Sequence, residues 1–317
     1  MLLTRSPPLG TLKGMYSVEV LDADLRHLAE PAHGLGPGVH WLITFLDATD
    51  GSMGWMPRRA YHPGATRSIY LPEAATGSDF ELSPAAKRAY EGPIERRSGQ
   101  DGLMVTAPDD SSHLAATAST LRWTESDLLD VSGDAVGPAC RLRMDDPAFP
   151  LLYTTRPYRV TGSVQGVPAD GAVLLVTVHL REGAELLTSP LLRRLQIVWT
   201  EFVNVGADGT VESGLLVWGR EGLAGMAVSR SDGSAFATSD IDVSIDNDGG
   251  DPEFARRIVF RGAGETLTWD ALPRGGRWPA RDDIPDGYRF RQGTVDREGA
   301  GAPALSYAFA ETFQDRM

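Results

Sequence analysis

The sequence predicts an all-β protein built from antiparallel sandwiches or barrels. Apolar and polar residues alternate along many short segments, which is the period of a half-buried β-strand. Asp-Gly dipeptides separate several of these segments, and they are typical of hairpin turns because both central residues of a type I′ turn need positive φ. Seven such dipeptides begin at Asp50, Asp101, Asp170, Asp208, Asp232, Asp248 and Asp286.

The predicted strands far outnumber the predicted helices. We predict three short helices, at residues 24–30, after Ser83-Pro84, and from Ser189; the last two begin with a serine N-cap and a proline. None of them alternates regularly with strands, so a parallel βαβ sheet is disfavoured. The predicted strands span residues 39–47, 103–107, 158–165, 172–181, 195–205, 211–218, 223–229, 257–261, 266–271, 288–297 and 305–313.

The chain is long enough for two domains. It has 317 residues, of which 42% are hydrophobic, so it can bury substantial cores. Residues 183–194 interrupt the rhythm of strands near the middle of the chain. We therefore predict an N-terminal β-domain over residues 1–187 and a C-terminal β-domain over residues 188–317.

Charge and composition limit the kinds of partner that the protein can bind and indicate its cellular compartment. The formal net charge of -13 would repel a polyanion, so we expect no nucleic-acid partner. The single cysteine, Cys140, excludes an internal disulfide framework. Since the sequence has neither a secretory signal nor a run of about 18 apolar residues, we expect a cytoplasmic protein without membrane insertion.

The familiar catalytic motifs are missing from the sequence. It contains no G-x-S-x-G elbow, no H-E-x-x-H, no phosphate-binding G-x-x-x-x-G-K-[ST] and no G-x-G-x-x-G that opens a helix. Hydrolases of the triad type, zinc peptidases, nucleotide-phosphate enzymes and dinucleotide oxidoreductases all lose support. The six histidines are spread singly, so we expect no metal site.

One carboxylate, Glu201, stands on an otherwise uncharged strand face. At period two it shares that face with Leu195, Ile197, Trp199, Val203 and Val205. If Asp208-Gly209 forms a two-residue turn, Glu201 lies opposite Leu216, Trp199 lies opposite Trp218, and Gly214 leaves a gap beside them. A carboxyl group removed from water favours its neutral form, so its pKa rises and it can donate a proton near neutral pH.

Other chemically active residues also stand on apolar faces. Glu311 is the sole charge on the face of the last strand that also carries Tyr307, and the other face of that strand has small residues. On another strand, ETLTWD, Trp269 alternates with polar residues. His40 and Trp41 begin an early strand, and His179 interrupts VLLVTVHL. The alternative is structural: each glutamate pairs with an arginine, each tryptophan is core, and each histidine is hydrogen-bonded.

Four stretches together resemble a known family. They are GVHWLITFLDATDGSMGW, YRVTGSVQG, the W-T-E-F…D-G hairpin, and the closing RFRQGTVDREG…SYAFAETF. They resemble the two-barrel lipocalin-like proteins related to carotenoid 1,2-hydratase (hydroxyneurosporene synthase), to which the fungal decalin-forming Diels–Alderases look related. The resemblance implies two calycin-type β-barrels packed together. It also implies a cofactor-free site and a hydrophobic polyene or polyketide substrate that is hydrated, cyclised or isomerised.

One departure from the family pattern bears on the reaction. Many hydratase-like members carry a charged R-D-x-S-W-G-x-R signature where this chain has HLREGAELLTSPLLRRLQIVW, in which only Trp199 corresponds. Cyclisation depends less on fixed charged groups, because an enzyme can hold a flexible chain in a reactive conformer and polarise one carbonyl. The departure therefore favours cyclisation over water addition.

The expected function is that of a cofactor-independent cyclase or isomerase of the pericyclase type. Its substrate would be a large hydrophobic polyketide or isoprenoid intermediate, and the protein would be a monomer or homodimer. The alternatives are a hydratase that adds water to a C=C bond and a non-catalytic lipocalin-like carrier. We expect Glu201, His40 and Tyr307 to be catalytic, and the substrate to contact Trp41, Trp199, Trp218, Leu216, His179, Trp269 and Glu311.

Overall fold

The computed structural model describes residues 15–21, 30–66, 69–88, 90–99, 102–279 and 287–317. Strands make up 61% of it and helices 5%, which confirms the all-β prediction. Among the described residues, no helix is long and apolar enough to span a membrane.

The first sheet has fifteen strands and curves into a half-barrel. Its main path runs β7-β6-β3-β2-β15-β14-β12-β11-β10-β9-β8, with β4 beside β2 and β13 beside β14. All of its pairings are antiparallel. Its strands are β1 (Tyr16–Val20), β2 (Gly36–Ala48), β3 (Met53–Trp55), β4 (Arg58–His62), β5 (Ala65–Thr66), β6 (Pro72–Ala75), β7 (Glu81–Leu82), β8 (Glu95–Gly99), β9 (Gly102–Thr106), β10 (Ser112–Ala116), β11 (Thr120–Glu125), β12 (Leu129–Ala135), β13 (Cys140–Met144), β14 (Leu151–Val164) and β15 (Val167–Leu180).

The second sheet has nine strands and forms a nearly closed barrel. Its order is β19-β18-β17-β16-β24-β23-β22-β21-β20. Its strands are β16 (Gln196–Val205), β17 (Val211–Gly219), β18 (Ala224–Arg230), β19 (Ala235–Thr238), β20 (Ile241–Asn247), β21 (Ala255–Gly262), β22 (Glu265–Ala271), β23 (Tyr288–Arg297) and β24 (Leu305–Phe313).

Short helical turns join and close the sheets. A 3₁₀ turn covers Pro84–Arg88, and between the sheets a 3₁₀ turn covers Leu186–Thr188 and a π-helical turn covers Leu191–Leu195. The Ser189 hydroxyl accepts a hydrogen bond from the Leu192 amide, as expected of a serine before a helix. A last 3₁₀ turn covers Gln314–Arg316. The helix predicted at residues 24–30 lies outside the described residues, except for its last residue.

Two Asp-Gly dipeptides behave differently from the prediction. Asp170 and Gly171 lie inside β15 and form no turn; position 171 requires glycine because a side chain there would collide with the Phe45 carbonyl of β2. Gln165 and Gly166, both at positive φ, make the tight turn between β14 and β15 instead. The loop around Asp208 is one residue longer than a two-residue turn, since Val205 pairs with Val211.

Buried side chains form three cores. One fills the half-barrel of the first sheet, which we call the first barrel, and includes Trp123 and Tyr158. Another fills the nearly closed barrel of the second sheet, which we call the second barrel, and includes Phe202 and Trp269. The third joins the outer faces of the two sheets, and we call it the seam. The first sheet contributes Val39, Ile43, Phe45, Leu142, Tyr153, Leu174, Val176 and Val178 to the seam, and the second contributes Trp199, Val203, Leu215, Val217, Phe290, Tyr307, Phe309 and Phe313.

Candidate functional site

Glu201 lies at the seam, and its carboxyl group is completely buried. Three donors surround it. The Tyr153 hydroxyl and the Trp199 indole Nε1 donate to Oε1, at 2.6 and 2.8 Å, and the Thr155 hydroxyl donates to Oε2 at 2.8 Å. Tyr153 and Thr155 come from β14 of the first sheet, so the two sheets build this site together.

The environment of Glu201 favours its neutral form. Burial raises the pKa of the Glu201 carboxyl; the hydrogen bonds from Tyr153, Trp199 and Thr155 oppose this rise, and the negative charge of Glu311 adds to it. All three donors are neutral, and no cation pairs with Glu201 among the residues that the structure describes. Oε1 accepts two hydrogen bonds and Oε2 accepts one, so in the neutral acid the proton would be carried by Oε2.

The expected tryptophan pairing across the hairpin is wrong. Glu201 lies opposite Leu215 and Trp199 opposite Val217, one residue from the predicted register, because of the longer loop. Leu216 and Trp218 consequently face the core of the second barrel, away from Glu201. Gly214 leaves no gap beside the acid either, because the Phe202 ring occupies the space next to it.

Glu311 lies on the strand next to Glu201 and shares its face. Trp199 pairs directly with Glu311 across β16 and β24, and Glu201 pairs with Phe309. Unlike Glu201, Glu311 has a cationic partner: the Arg58 guanidinium lies 3.2 Å from its Oε1. The Tyr288 hydroxyl and the Gln196 amide also donate to Glu311. The seam therefore holds two carboxyl groups, one with a cation and one with neutral donors only.

Arg58 enters the seam from β4 and is surrounded by aromatic rings. Its guanidinium carbon lies 4.5 Å from the centre of Trp278, 4.4 Å from that of Phe290 and 5.1 Å from that of Phe309. Only Nη1 is used by Glu311. Nε and Nη2 of Arg58 are buried without a hydrogen-bond partner among the described residues. A guanidinium with spare donors can polarise the carbonyl oxygen of a molecule bound at the seam.

Two further predicted site residues lie at the seam. Tyr307 packs its ring against Phe45 with the ring centres 6.0 Å apart, and burial followed by the charge of Asp47 raises the pKa of its hydroxyl. Trp41 is half-buried and packs against the same core. The structure thus brings Trp41, Trp199, Glu201, Tyr307 and Glu311 to one interface.

The two predicted histidines lie inside the first barrel instead. The His40 ring bonds to the Thr177 hydroxyl at 2.9 Å and approaches Arg96 at 3.5 Å. Burial, then the charges of Arg96 and His179, lowers the pKa of His40 to about 3, so its ring is neutral at pH 7. The His179 ring contacts the Glu30 carbonyl oxygen at 2.8 Å. Neither histidine shares a sheet face with Glu201.

The first barrel contains a second copy of the same local arrangement, which the sequence analysis missed. Residues 123–125 and 199–201 are both Trp-Thr-Glu. In the first barrel, Trp123 Nε1 donates to Glu125 Oε1 at 2.8 Å, Tyr61 donates at 3.1 Å and Ser112 at 3.0 Å. Glu125 differs in having a buried cation, Arg59, 3.1 Å away.

The residues that complete the seam site were also missed. Tyr153, Thr155 and Arg58 belong to the first sheet, and no spacing in the sequence connects them to Glu201. The sequence did contain one signal of a polar cluster, the repeated Trp-Thr-Glu, because a tryptophan two residues before a glutamate on a strand lies on the same face and can donate to it.

Cys140 lies directly opposite Thr155 and is a buried thiol. Burial, and then the charge of Glu201, raises the pKa of this thiol to about 12.

Comparisons with known proteins concern the fold. No protein-family model matches the chain, and no curated protein matches it. The chain is similar to the crystal structure of a Nitrosomonas europaea protein assigned as AttH, with a TM-score of 0.50 and 13% identity over 97% of this chain and 99% of that chain.

Weaker likenesses extend to two further solved structures. One is kievitone hydratase from Nectria haematococca, with a TM-score of 0.43 and 9% identity over 90% of this chain and 91% of that one. The other is CghA with Sch210972, with a TM-score of 0.41 and 10% identity over 94% and 98%. At the level of the fold, the protein has the two-barrel lipocalin-like architecture of the family that its sequence resembles.

Proposed function

We propose that the protein is a cofactor-independent cyclase or isomerase that acts on a large hydrophobic polyketide or isoprenoid intermediate at the seam. One observation carries the proposal: Glu201 is fully buried among three neutral donors that come from both sheets. Burial raises the pKa of this carboxyl group, and a carboxylic acid in its neutral form is a hydrogen-bond and proton donor. Apolar and aromatic side chains around it suit a hydrophobic substrate.

The acid would activate the substrate by polarising one of its carbonyl groups. Oε2 of Glu201 carries the transferable proton, and Tyr153 and Trp199 hold Oε1 so that the carboxyl plane stays fixed. Arg58 would supply its spare Nε and Nη2 donors to a second oxygen of the substrate. Donors that are fixed in advance in a buried site stabilise developing negative charge without reorganisation.

The aromatic side chains would hold the flexible substrate in a reactive conformer, which by itself lowers the barrier to ring closure. Phe290 stacks on Phe309 at 4.9 Å, and Trp278 packs on Phe290 at 4.3 Å. Solvent reaches the seam at Arg58 and Glu311, whose side chains are 14% and 13% exposed. The substrate would enter at this end and displace the rings that close the seam. The mechanism does not use His40.

The test is to incubate the protein with a panel of linear polyketide and isoprenoid polyenes that carry a carbonyl, followed by mass spectrometry of the products. Cyclisation or isomerisation yields a product of unchanged mass and altered retention. Replacing Glu201 with Gln should slow that conversion by about 100-fold or more, because the amide cannot donate a carboxylic proton. Unchanged turnover in this variant would exclude the acid role.

Hydration is the second candidate, because a carboxylic acid whose pKa is raised by burial can also protonate an alkene. Its product is heavier by one water, so the same spectra distinguish it from a cyclised product. Saturable binding of a panel compound with no conversion by the unmodified protein would contradict both reactions and identify a carrier.

A further inference from the structure

The connection between β22 and β23 crosses from the second sheet to the first. We call residues 272–279 of this connection the strap. The Phe80 amide donates to the Arg277 carbonyl oxygen of the strap at 2.8 Å. The Gly276 amide of the strap donates to the Ser78 carbonyl oxygen at 3.0 Å. Backbone hydrogen bonds therefore attach the strap to the turn between β6 and β7.

One strap residue, Trp278, covers the end of the seam that solvent reaches. The ring centres of Tyr70 and Phe80 lie 5.4 and 6.4 Å from its own on one side, and that of Phe290 lies 4.3 Å away on the other. The Arg58 guanidinium carbon lies 4.5 Å from the Trp278 ring centre, and Trp278 is only 6% exposed. A molecule that approaches Arg58 from this end must therefore displace Trp278.

Asp79 holds the strap against the first sheet with both oxygens of its carboxylate. Oδ1 accepts from the Arg277 amide at 3.0 Å, and Oδ2 lies 3.8 Å from Arg277 Nη1. The Arg277 guanidinium also pairs with Asp248 and Asp251 of its own barrel, at 3.3 and 3.7 Å. Loss of Asp79 would therefore weaken the attachment and still leave Arg277 with carboxylate partners. Because the Asp79 side chain is 50% exposed, its ion pair contributes little to stability and can break readily.

The strap is bonded to its own barrel as well. The Gln292 amide donates to the Gly276 carbonyl oxygen at 2.7 Å, and the Trp278 amide donates to the Phe290 carbonyl oxygen at 3.1 Å. On the side of the first sheet the strap meets an exposed turn, since residues 75–79 are all exposed. Segments with exposed backbone hydrogen bonds open locally at a lower free energy than the core. The contact with this turn can therefore break while the second barrel keeps its structure.

We propose that the strap is a gate that controls entry to the seam, an inference that rests on the proposed function for the identity of what enters. When the gate opens, the strap parts from the turn between β6 and β7, and Trp278 separates from Arg58. The spare Nε and Nη2 donors of Arg58 then become accessible to an oxygen of the substrate. When the gate closes, the aromatic rings exclude water, which strengthens the electrostatic interactions inside the site.

The test measures hydrogen exchange by NMR of the ¹⁵N-labelled protein without substrate. Two groups report on the gate: the Phe80 amide, which bonds to the strap, and the Arg58 Nε–H, which the strap covers and which is assigned by its loss in Arg58→Lys. Two groups serve as references: the Gln292 amide, bonded within the second barrel, and the Arg59 Nε–H, on the other face of β4. We expect both reporters to be less protected from exchange than both references.

Asp79→Ala should lower the protection of both reporters about tenfold and leave both references unchanged, because it removes a charge-assisted hydrogen bond that only the closed gate makes. Asp109→Ala is the matched control, since Asp109 is an exposed aspartate that accepts from the Ser111 amide within its own turn, at 3.1 Å. It should change neither group. The proposal is overturned if the reporters are as protected as the references, or if Asp79→Ala leaves them unchanged.

The same variant tests the control of entry. For a panel compound that binds the unmodified protein, stopped-flow tryptophan fluorescence should give an association rate constant about tenfold higher in Asp79→Ala, because entry waits for the gate to open. An unchanged association rate constant would overturn the role in entry. If no panel compound binds, the proposed function fails, and the exchange measurements alone decide whether the strap opens. The two failures are therefore distinguishable.

Discussion

Arg58 and Arg59 are consecutive residues of β4, and their guanidinium groups reach two different carboxylates on opposite sides of the sheet. Arg58 pairs with Glu311 at the seam, and Arg59 pairs with Glu125 inside the first barrel. Strand geometry requires this division, since successive side chains point to opposite faces. One short strand therefore supplies a cation to each of two buried polar clusters.

The two Trp-Thr-Glu segments should respond differently to loss of charge. Glu125→Gln removes the carboxylate partner of the buried Arg59, so we expect it to lower the free energy of unfolding by about 3–5 kcal/mol. If Glu201 is neutral, as proposed, Glu201→Gln replaces a neutral acid with a neutral amide and should cost less than about 1 kcal/mol. Denaturant unfolding of both variants measures the contrast. Equal losses would show that Glu201 is ionised in the folded protein.

The pH dependence of turnover should follow the protonation of Glu201. Since the neutral acid is the active form, activity should be present at low pH and fall as pH rises through its raised pKa. Tyr153→Phe removes a hydrogen bond that lowers that pKa, so the alkaline limb of the rate profile should move to higher pH.

Tyr61→Phe is the matched control for this shift, because Tyr61 makes the corresponding bond to Glu125 in the first barrel. The alkaline limb of the pH–rate profile of Tyr61→Phe should lie at the same pH as in the unmodified protein. A limb that stays in place in Tyr153→Phe would contradict the assignment of the acid to Glu201.

Asp47 should make the fold less stable as pH rises. It lies directly opposite Asp170, and burial followed by the charge of Asp170 raises the pKa of Asp47 from 3.8 to about 6. The folded state then holds a proton that the unfolded state releases, so this stabilisation is complete below about pH 4 and is lost by about pH 6. Unfolding measured across this range should show the loss, and Asp47→Asn should remove it.

Asp50→Asn provides a control of opposite sign. Hydrogen bonds from Ser52 lower the pKa of Asp50, so its contribution is present above its unfolded pKa and disappears as pH falls. If Asp47→Asn leaves the slope between pH 4 and 6 unchanged, the carboxyl group is ionised throughout that range.

The Arg58–Glu311 pair should be energetically coupled. A double-mutant cycle of Arg58→Met and Glu311→Gln should give an interaction energy of about 1–3 kcal/mol, because both groups are largely withdrawn from water. The exposed pair Arg97–Glu95, with side chains 77% and 66% exposed, should give less than about 1 kcal/mol in the same experiment. Similar values for the two cycles would mean that Arg58 is held by its aromatic contacts alone.

The sequence predicted the strands of the second barrel better than those of the first. Each of the eleven predicted strands overlaps an observed one, and the strands at residues 288–297 and 305–313 have the predicted bounds. The missed strands lie mostly in the first sheet, and they include very short ones, such as β3, β5 and β7, as well as longer ones, such as β11 and β12. In the shortest of them, two or three residues are too few to show a period, so their pairing depends on neighbours that are distant in sequence.

The candidate site could be predicted only in part, for a similar reason. Glu201 and Glu311 were identified because each is a lone charge on an apolar face, a property of a single strand. The partners that decide their chemistry, Tyr153, Thr155 and Arg58, come from the other sheet, and sheet-on-sheet packing leaves no spacing in the sequence. The error at Trp218 came from one residue of loop length, which reverses every face of a strand.

The position of Glu201 between the sheets has a consequence for how the protein matures. The chain is synthesised from its N-terminus, so Tyr153 and Thr155 leave the ribosome before Glu201, to which their hydroxyl groups donate in the folded protein. Until the second sheet docks, that glutamate is an ordinary solvated carboxylate. The acid is therefore created by the final assembly step, and a chain whose halves fold but stay apart would be structured and inert.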